Sequence, residues 1–173
     1  MIGIKNTEIG FDASLFTIPE MDFEQGTVHV LLGKNGIGKS ALLNTLSGLI
    51  SPVEGIINFD GKLLSEYSYK HLAKKIAYVR SNVKGVPFLT VDAFLLLGRY
   101  HDKNFIGKHS AEDYALVEKA KDLFGINHLA EKFTNELSSG ELHLCAIAKA
   151  YVQQTDYVLL DEPTSHLDYT LSL

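Results

Sequence analysis

The stretch Gly33-Lys34-Asn35-Gly36-Ile37-Gly38-Lys39-Ser40 decides the fold class of this chain. It fits the pattern G-x-x-x-x-G-K-[ST], whose glycines let the backbone curl with its N–H groups pointing inward. The apolar run at residues 27–32 predicts a strand before it, and residues 39–49 predict a helix after it. Because a helix N-terminus carries the positive end of its dipole, this arrangement favours an anion. The sequence therefore predicts a site for the phosphates of a nucleotide.

The loop and the start of the helix supply distinct contacts. Lys39 is expected to reach the β- and γ-phosphates, and the Ser40 hydroxyl is expected to bind Mg²⁺. We expect ATP with Mg²⁺ as the ligand, held by these residues: Lys34, Asn35, Gly36, Gly38, Lys39, Ser40 and Ala41. The alternative is a glycine-rich turn with an incidental lysine, and the strand–loop–helix context favours the phosphate site.

Composition limits the classes of partner. The 173 residues fit one domain, and their formal net charge of −5 without a basic run argues against nucleic-acid binding. Cys145 is the sole cysteine, so no intramolecular disulfide or thiolate metal cluster can form. No apolar run reaches the roughly 18–20 residues that span a bilayer, so a role at a membrane would come through a partner protein.

Strands and helices alternate along the chain. The patterns predict strands at residues 15–18, 27–32, 55–59, 76–79 and 156–160. They predict helices at residues 39–49, 90–100, 110–124 and 140–153. This alternation predicts an α/β fold with a mostly parallel sheet whose ligand crevice lies at the carboxyl ends of the strands. A helical subdomain is expected at residues 85–135, inserted into a core formed by residues 1–84 and 136–173.

A second motif delivers carboxylates to the predicted edge of the sheet. The stretch Tyr157-Val158-Leu159-Leu160-Asp161-Glu162 is typical of an apolar strand followed by two acids. Asp161 is expected to hold Mg²⁺ directly or through water, and Glu162 to orient or deprotonate the attacking water. Adjacent acids after a strand also occur in ordinary turns. The glycine loop upstream favours the catalytic interpretation.

A third motif, Leu137-Ser138-Ser139-Gly140-Glu141, lies just before the helix that leads to the acidic strand. Ser138 is placed as an N-cap with Glu141 three residues later, which is the spacing of a capping box. A helix start also exposes N–H groups that can bind a phosphate. A structural cap and a phosphate contact are therefore both compatible with this motif.

In this order, the three motifs resemble those of the ATP-binding subunit of ABC transporters. That family has Leu-Ser-Gly-Gly-Gln between the phosphate loop and the acidic strand, and here Ser139 replaces the first glycine and Glu141 the glutamine. Downstream, His166-Leu167-Asp168 matches a short loop through which the two subunits of the family dimer communicate. The resemblance implies the P-loop NTPase fold, with an antiparallel N-terminal β portion beside the parallel sheet.

The resemblance also implies a second copy of the chain. Subunits of this family form a head-to-tail homodimer that sandwiches two nucleotides. Ser138 and Gly140 are therefore implied to contact a nucleotide held by the phosphate loop of the other copy. Phe11 is the candidate for stacking on adenine. Phe16 competes for that role, and packing in the core is the structural explanation for either ring.

Further stretches resemble the subgroup that serves importers of iron–siderophore complexes, haem and vitamin B12. They are residues 67–79, Leu89-Thr90-Val91, Leu97-Gly98-Arg99-Tyr100 and Ser110-Ala111-Glu112-Asp113. The alternative is that they are generic residues of the helical insertion. The subgroup implies an ATPase that powers uptake of an iron chelate or related metal-cofactor compound. It also implies a cytoplasmic protein, peripheral on the inner face of the cell membrane through transmembrane permease subunits.

The sequence departs from the family at two places. After the strand at residues 76–79 the family has Pro-Gln, but this chain has Arg80-Ser81, so Ser81 is the candidate at the metal-contacting position. None of the seven histidines matches the family's γ-phosphate histidine, because the sequence ends at Leu173. We therefore expect weak ATPase activity from the chain as given, whether it is a fragment or a natural short form. The alternative functions are a catalytically weak nucleotide-binding regulatory module and a soluble ABC-type ATPase.

Overall fold

The computed structural model of the chain describes residues 1–11, 13–102 and 108–164. The chain forms two compact units, Met1–Ile76 and Ala77–Leu173. The first unit contains the phosphate loop, and the second contains the acidic strand and the Ser138 motif. The division into a core and a helical subdomain at residues 85–135 stays a prediction.

The first unit is built on a four-stranded antiparallel sheet. Its strands are β1 (Ile2–Gly10), β2 (Ser14–Phe23), β3 (Glu54–Phe59) and β4 (Lys62–Leu63), in the spatial order β2-β1-β3-β4. In the central strand β1, Ile4 lies opposite Met21 of β2 and Ile57 of β3. Buried apolar side chains of the sheet include Ile2, Ile4, Ile9, Ile57 and Phe59. The sheet confirms the antiparallel N-terminal portion, although the sequence patterns do not predict β1.

The turn Asp60-Gly61 joins β3 to β4. Asp60 and Gly61 have φ angles of 50° and 81°, the left-handed conformation that a tight hairpin turn requires. The Asp60 carboxylate pairs with Lys75 Nζ at 2.8 Å and with the N-terminal ammonium at 2.7 Å. These cations, chiefly through the hydrogen bond from Lys75, lower the pKa of Asp60. The negative charge of the turn is thereby paired with two positive groups, the Lys75 ammonium and the N-terminus.

Two α-helices belong to the first unit. Helix α1 spans Lys39–Leu46 and ends earlier than the sequence predicts, because Gly48 adopts a φ of 74° just beyond it. Helix α2 spans Tyr69–Lys75, and the hydroxyl of its N-cap Ser68 accepts a first-turn N–H. Since Leu72 is its sole buried residue, α2 has no hydrophobic period that the sequence patterns could detect.

The prediction of a strand at residues 27–32 is wrong, because the described structure has no strand there. There these residues have no strand partner, and Val28, Val30 and Leu32 are 92%, 73% and 91% exposed. A strand is stabilised by hydrogen bonds to its neighbours, so an apolar run without neighbours does not form one. The phosphate loop therefore follows an irregular, exposed segment.

Three α-helices form most of the second unit among its described residues: α3 (Val91–Leu96), α4 (Ala111–Phe124) and α5 (Ser139–Gln153). Each begins where the sequence predicts, because the hydroxyl of Thr90, Ser110 or Ser138 accepts a first-turn N–H. Shorter 3₁₀ segments lie at Leu97–Asp102, Asn127–Leu129 and Thr134–Glu136. None of the helices in the described ranges is long and apolar enough to cross a bilayer.

Strands β5 (Ile76–Val79) and β6 (Tyr157–Leu160) pair as a two-stranded parallel sheet, at the positions that the sequence predicts. A buried cluster packs the helices and β5 together: Ala77, Val79, Val91, Phe94, Leu95, Val117, Ala120, Ile126, Leu129, Cys145, Ala146, Ala148, Ala150 and Val152. Burial raises the pKa of the Cys145 thiol to about 11, so this cysteine packs as a small apolar residue. The parallel pair and the antiparallel sheet together confirm the α/β class.

An ion pair joins two of the stretches that resemble the importer subgroup. Arg99 Nε donates to Asp113 Oδ1 at 2.9 Å, and Arg99 Nη1 donates to the carbonyls of Val152 and Gln153 at 3.4 Å. Asp113 also closes the capping box of α4 with Ser110. Anions favour a helix N-terminus and cations favour a C-terminus. The pair therefore stabilises the start of α4 and the end of α5 at once.

Candidate nucleotide-binding site

The phosphate loop curls through two glycines in the left-handed region. Gly36 and Gly38 have φ angles of 80° and 108°, conformations that residues with a Cβ rarely adopt. The Ile37 N–H donates to the Lys34 carbonyl at 3.4 Å, which closes a turn at the tip of the loop. A Cβ at Gly36 would meet open space, whereas one at Gly38 would lie 2.6 Å from the Phe16 ring. The loop is thus open at its tip and packed at its base.

Lys39 folds back over the loop. Its Nζ donates to the carbonyl of Gly33 at 2.8 Å and to that of Lys34 at 3.1 Å. An ammonium group has three donors, so one remains for a phosphate oxygen. The next residue, Ser40, is exposed, and Ala41 in the first turn of α1 is buried. The loop therefore presents a fixed cation and an exposed hydroxyl at one helix start.

The first turn of α1 has no side-chain cap from any residue that the structure describes. Its N-cap, Gly38, carries neither hydroxyl nor carboxylate, and the described first turn holds no acidic side chain. The first N–H groups of a helix have no partner within the helix. At α1 these groups and the Lys39 ammonium lie together at an exposed loop. Uncapped N–H groups beside a cation are suited to a phosphate.

Two aromatic residues compete for the predicted adenine contact. Phe11 lies in the turn between β1 and β2 and is 63% exposed. Phe16 lies on β2, and its ring packs against Gly38 beside Leu15. Phe16 therefore supports the base of the phosphate loop, and Phe11 is accessible to a stacked ring. The contact between Phe11 and adenine stays a prediction.

The acidic motif lies at the end of β6, in the second unit. Asp161 is 5% exposed, and its N–H donates to the Val79 carbonyl of β5 at 2.9 Å. Burial of the neighbouring Tyr78, followed by the negative charge of Asp161, raises the pKa of Tyr78 to about 12. Sequence reasoning missed Tyr78, because an apolar strand pattern does not show which side chain lies near the end of the paired strand.

Glu162 and Ser81 are the two other predicted residues of the metal and water site in this unit. Glu162 is exposed and has a φ of 51°. Left-handed backbone is uncommon outside glycine and clusters where function fixes a side chain. Ser81 is half-buried and follows shortly after β5. The role of Glu162 toward water and that of Ser81 toward metal stay predictions.

The start of α5 is closed by its own side chains. Ser138 Oγ accepts the Glu141 N–H at 3.2 Å, and Glu141 Oε2 accepts the Ser138 N–H at 2.8 Å. These bonds, led by the one to the Ser138 backbone, lower the pKa of Glu141. Ser138 is exposed and Gly140 is half-buried. The capping box is therefore confirmed, and the nucleotide contacts of Ser138 and Gly140 stay predictions.

The candidate metal ligands suit Mg²⁺. Ser40, Ser81 and Asp161 offer oxygen atoms, which Mg²⁺ prefers. Within residues 1–11, 13–102 and 108–164, no group of three His, Cys, Asp or Glu side chains could hold a metal ion. Mg²⁺ is usually held by one or two carboxylates together with substrate phosphates and water. These residues therefore fit a metal that binds together with a nucleotide.

The predicted site residues divide between the two units. Phe11 and the phosphate loop belong to the first, and the second contains Ser81, Ser138, Gly140, Asp161 and Glu162. His166 and Asp168, which match the dimer loop of the family, lie outside the described residues.

A glycine loop with its lysine at an uncapped helix start, together with a strand that ends in a buried aspartate, defines a nucleotide-binding protein of the P-loop class. The profile of the ABC transporter family matches residues 17–165. The chain therefore belongs to the ABC transporter family, as the ATP-binding domain.

Named relatives agree with this membership. An uncharacterized ABC transporter ATP-binding protein of Haemophilus influenzae is 37% identical, over 98% of this chain and 65% of its own length. The ferric enterobactin transport ATP-binding protein of Escherichia coli (strain K12) is 35% identical, over 88% of this chain and 58% of its own length. The chain thus spans less than two thirds of the length of either curated relative.

Solved structures show the same fold. The structure of an inward-facing metal-chelate type ABC transporter matches 96% of this chain and 61% of its own, with a TM-score of 0.76 and 32% identity. A dimeric ATP-binding cassette in a post-hydrolysis state with ADP and Pi matches 98% of this chain and 77% of its own, with a TM-score of 0.84. At 24% identity, the second likeness shows the fold alone. The P-loop NTPase fold is thereby confirmed.

Proposed function

We propose that the chain is the ATP-binding subunit of an ABC importer, which binds MgATP and hydrolyses it to power uptake of an iron chelate or a related metal-cofactor compound. The observation that carries this proposal is the start of α1, which has no side-chain cap and begins at Lys39, whose ammonium group folds over the phosphate loop. Membership of the ABC family makes ATP the nucleotide that this start would bind.

The chemistry follows from the residues of the two units. N–H groups of the loop and the Lys39 ammonium would neutralise the β- and γ-phosphate oxygens through charge-assisted hydrogen bonds. Ser40 and Asp161 would hold Mg²⁺ with the phosphates, and Mg²⁺ would supply neutralisation of the charge that develops on them. Glu162 would orient or deprotonate the attacking water. Asp161 is suited to its role because its backbone N–H is bonded to the Val79 carbonyl of β5, which holds it at the end of β6.

The substrate class rests on the relatives and on the subgroup motifs. The Escherichia coli relative is named for transport of ferric enterobactin. In this chain, the ion pair between Arg99 and Asp113 links two of the subgroup motifs. This contact explains why the two motifs occur together in one chain. An ATP-binding subunit contacts nucleotide and not cargo, so we propose the substrate as a class.

The partners follow from the same reasoning. We propose a head-to-tail homodimer in which Ser138 and Gly140 complete the nucleotide site of the second copy. Transmembrane permease subunits would hold this dimer at the cytoplasmic face of the membrane. The exposed start of α5 supports the dimer contact, because Ser138 and Ser139 are accessible there.

Calorimetric titration of the full chain with MgATP tests the proposal. We expect the unmodified chain to bind MgATP. Lys39→Ala should lower the MgATP affinity at least about tenfold, because a charge-assisted contact to phosphate disappears. Lys70→Ala is the matched control, since Lys70 is an exposed lysine of the same unit on α2. Equal affinity in Lys39→Ala and Lys70→Ala would contradict the proposed phosphate site.

A catalytically weak regulatory module is the second candidate, and Ser81 favours it. A serine reaches less far than the family's glutamine, so it would couple the metal less tightly to the rest of the second unit. Steady-state phosphate release measured on the same samples separates the candidates. Normal MgATP affinity without turnover, in the chain and in a longer form that continues past Leu173, would select the module.

A further inference from the structure

The segment that begins at Ser81 is irregular, but it is fastened to the segment that precedes α5. Residues 81–89 form neither helix nor strand, and residues 134–136 form a short 3₁₀ segment. Thr134 Oγ1 accepts the Val86 N–H at 2.9 Å and donates to the Val86 carbonyl at 3.0 Å. One hydroxyl therefore bonds both backbone groups of a single residue in the other segment.

Backbone contacts reinforce these two bonds. The Thr134 N–H donates to the Leu89 carbonyl at 2.8 Å, and Thr90 pairs with Phe133 in an antiparallel bridge. A Cβ added at Gly85 would overlap the Thr134 carbonyl oxygen, so the two backbones are in close contact there. Thr134 is 1% exposed, so water does not replace its hydrogen bonds. These contacts and the two hydroxyl bonds form what we call the Thr134 junction.

The junction encloses a strained turn. Phe88 has a φ of 60°, which is uncommon for a bulky residue. Its ring meets the ring of Phe133 edge-on, with centroids 5.9 Å apart. Backbone strain persists only where the surrounding structure fixes it, and such strain is frequent at functional sites. The junction therefore holds residues 85–89 in one defined shape.

The junction lies between two predicted nucleotide contacts of the second unit. Ser81 precedes the first segment and Ser138 closely follows the second. Between Thr134 and Ser138, Leu137 packs against the buried cluster of this unit. In the proposed function, Ser81 would contact the metal of the chain's own MgATP, whereas Ser138 would contact the nucleotide of the second copy. The Thr134 junction therefore connects residues that would serve two different nucleotides.

We propose that Thr134 is a positioning residue for the nucleotide dimer: its hydroxyl fixes the segment after Ser81 to the start of α5, so that MgATP bound by one copy sets the position of its Ser138 contact for the other. This inference rests on the proposed function, because that function supplies both contacts. Thr134 acts through the two segments and does not itself touch nucleotide or metal. Coupling between sites commonly changes affinity by about 5- to 150-fold.

The test compares dimerisation with MgATP affinity in full chains that carry Glu162→Gln, which should slow hydrolysis. At saturating MgATP, we expect Thr134→Val to raise the protein concentration for half-dimerisation by about tenfold in sedimentation velocity. The MgATP affinity of the monomer should stay unchanged, because the phosphate loop is intact. Thr134→Ser keeps the hydroxyl and should therefore dimerise like the unmodified threonine.

Two further variants control for stability. Thr155→Val is the matched control, because the Thr155 hydroxyl donates to the Tyr157 carbonyl at 2.8 Å in the same unit but outside the junction. Gly85→Ala should force the two backbones apart while the Thr134 hydroxyl is still present, so it should weaken dimerisation as Thr134→Val does. Urea unfolding of each variant shows whether it is folded, and Gly85→Ala decides the test if Thr134→Val is not.

The possible outcomes separate this inference from the proposed function. Normal dimerisation of Thr134→Val and Gly85→Ala would overturn the inference and leave the proposed function standing. An equal loss of dimerisation in Thr134→Ser would overturn it too, because the hydroxyl would not be the cause. A matching loss of monomer affinity would indicate a general structural role and would also overturn it. If the Glu162→Gln chain binds MgATP but stays monomeric, the proposed dimer fails, and the inference fails with it.

Discussion

Two helix starts that are expected to meet nucleotides are built in opposite ways. Helix α1 begins at Gly38, and no side chain of the described residues accepts its first N–H groups. Helix α5 begins at Ser138, whose hydroxyl accepts the Glu141 N–H while the Glu141 carboxylate accepts the Ser138 N–H. One start leaves its donors to a ligand, and the other satisfies two of its donors, the N–H groups of Ser138 and Glu141, within the chain. The difference favours α1 over α5 as the predicted primary phosphate site.

The contrast also bears on the proposed dimer. A nucleotide that approaches α5 meets a start where the Ser138 and Glu141 N–H groups are already used, beside the negative charge of Glu141. Binding to those two groups would require exchange of existing hydrogen bonds, whereas α1 has no side-chain cap to displace. We therefore expect the second contact to be weaker than the first.

The largest expected effect comes from making α1 resemble α5. Gly38→Ser supplies a hydroxyl cap, but the φ of 108° and the Phe16 ring leave little room for its Cβ. We expect the free loop to relax away from this strained shape, so that binding phosphate must restore it at a cost of about 1–3 kcal/mol. This cost corresponds to as much as about a 100-fold loss in MgATP affinity by calorimetry. Gly125→Ser is the control, because Gly125 has a φ of 66° with open space around it. Unchanged affinity in Gly38→Ser would show that α1 does not need its open start.

A smaller effect is expected from opening α5. Ser138→Ala removes the cap and should lower the free energy of unfolding by about 1 kcal/mol in urea titrations. The MgATP affinity of the monomer should stay the same, because the phosphate loop is untouched. Ser139→Ala lies one residue inside the helix and should change stability by less than about 0.5 kcal/mol. A drop in monomer affinity without a loss of stability would reverse the roles assigned to the two helix starts.

The smallest expected effect is a dependence of the α5 cap on pH. Because hydrogen bonds to Ser138 lower the pKa of Glu141 in the folded state, the cap stabilises the fold above the ordinary glutamate pKa. This contribution is lost as the pH falls through the lowered value. The group is accessible to solvent, so we expect about 0.5 kcal/mol or less. Unfolding of the unmodified chain and of Glu141→Gln, compared over pH, measures it, and a difference that grows toward low pH would refute the sign.

Capping chemistry and hydrophobic period explain which elements the sequence predicts. Helices α4 and α5 begin directly after Ser110 and Ser138, since the hydroxyl and the acid three residues later form a local motif. Strand β1 and helix α2 are not predicted. β1 contains two glycines and a shift of register, and α2 buries one residue, so neither has a regular pattern.

Tertiary contacts explain the rest. The run at residues 27–32 has the composition of a strand, but a strand also needs neighbours, and composition does not contain that information. The phosphate loop is predictable because the spacing of Gly33, Gly38 and Lys39 is local. The hydrogen bond from the Asp161 N–H to the Val79 carbonyl joins distant parts of the sequence, so it becomes visible only once the two strands are paired.

The most direct measurement of the central claim is amide chemical-shift perturbation in an isotope-labelled sample of the full chain at concentrations where it is monomeric. On addition of MgATP, we predict the largest shifts at the backbone N–H groups of Gly36, Gly38, Lys39, Ser40 and Ala41. The N–H groups at the start of α5 should remain nearly unchanged under the same conditions. The account would be contradicted if the chemical shifts of the loop amides stayed unchanged at saturating MgATP. It would also be contradicted if the amide shifts of Ser139 to Glu141 changed at lower MgATP concentrations than those of the loop.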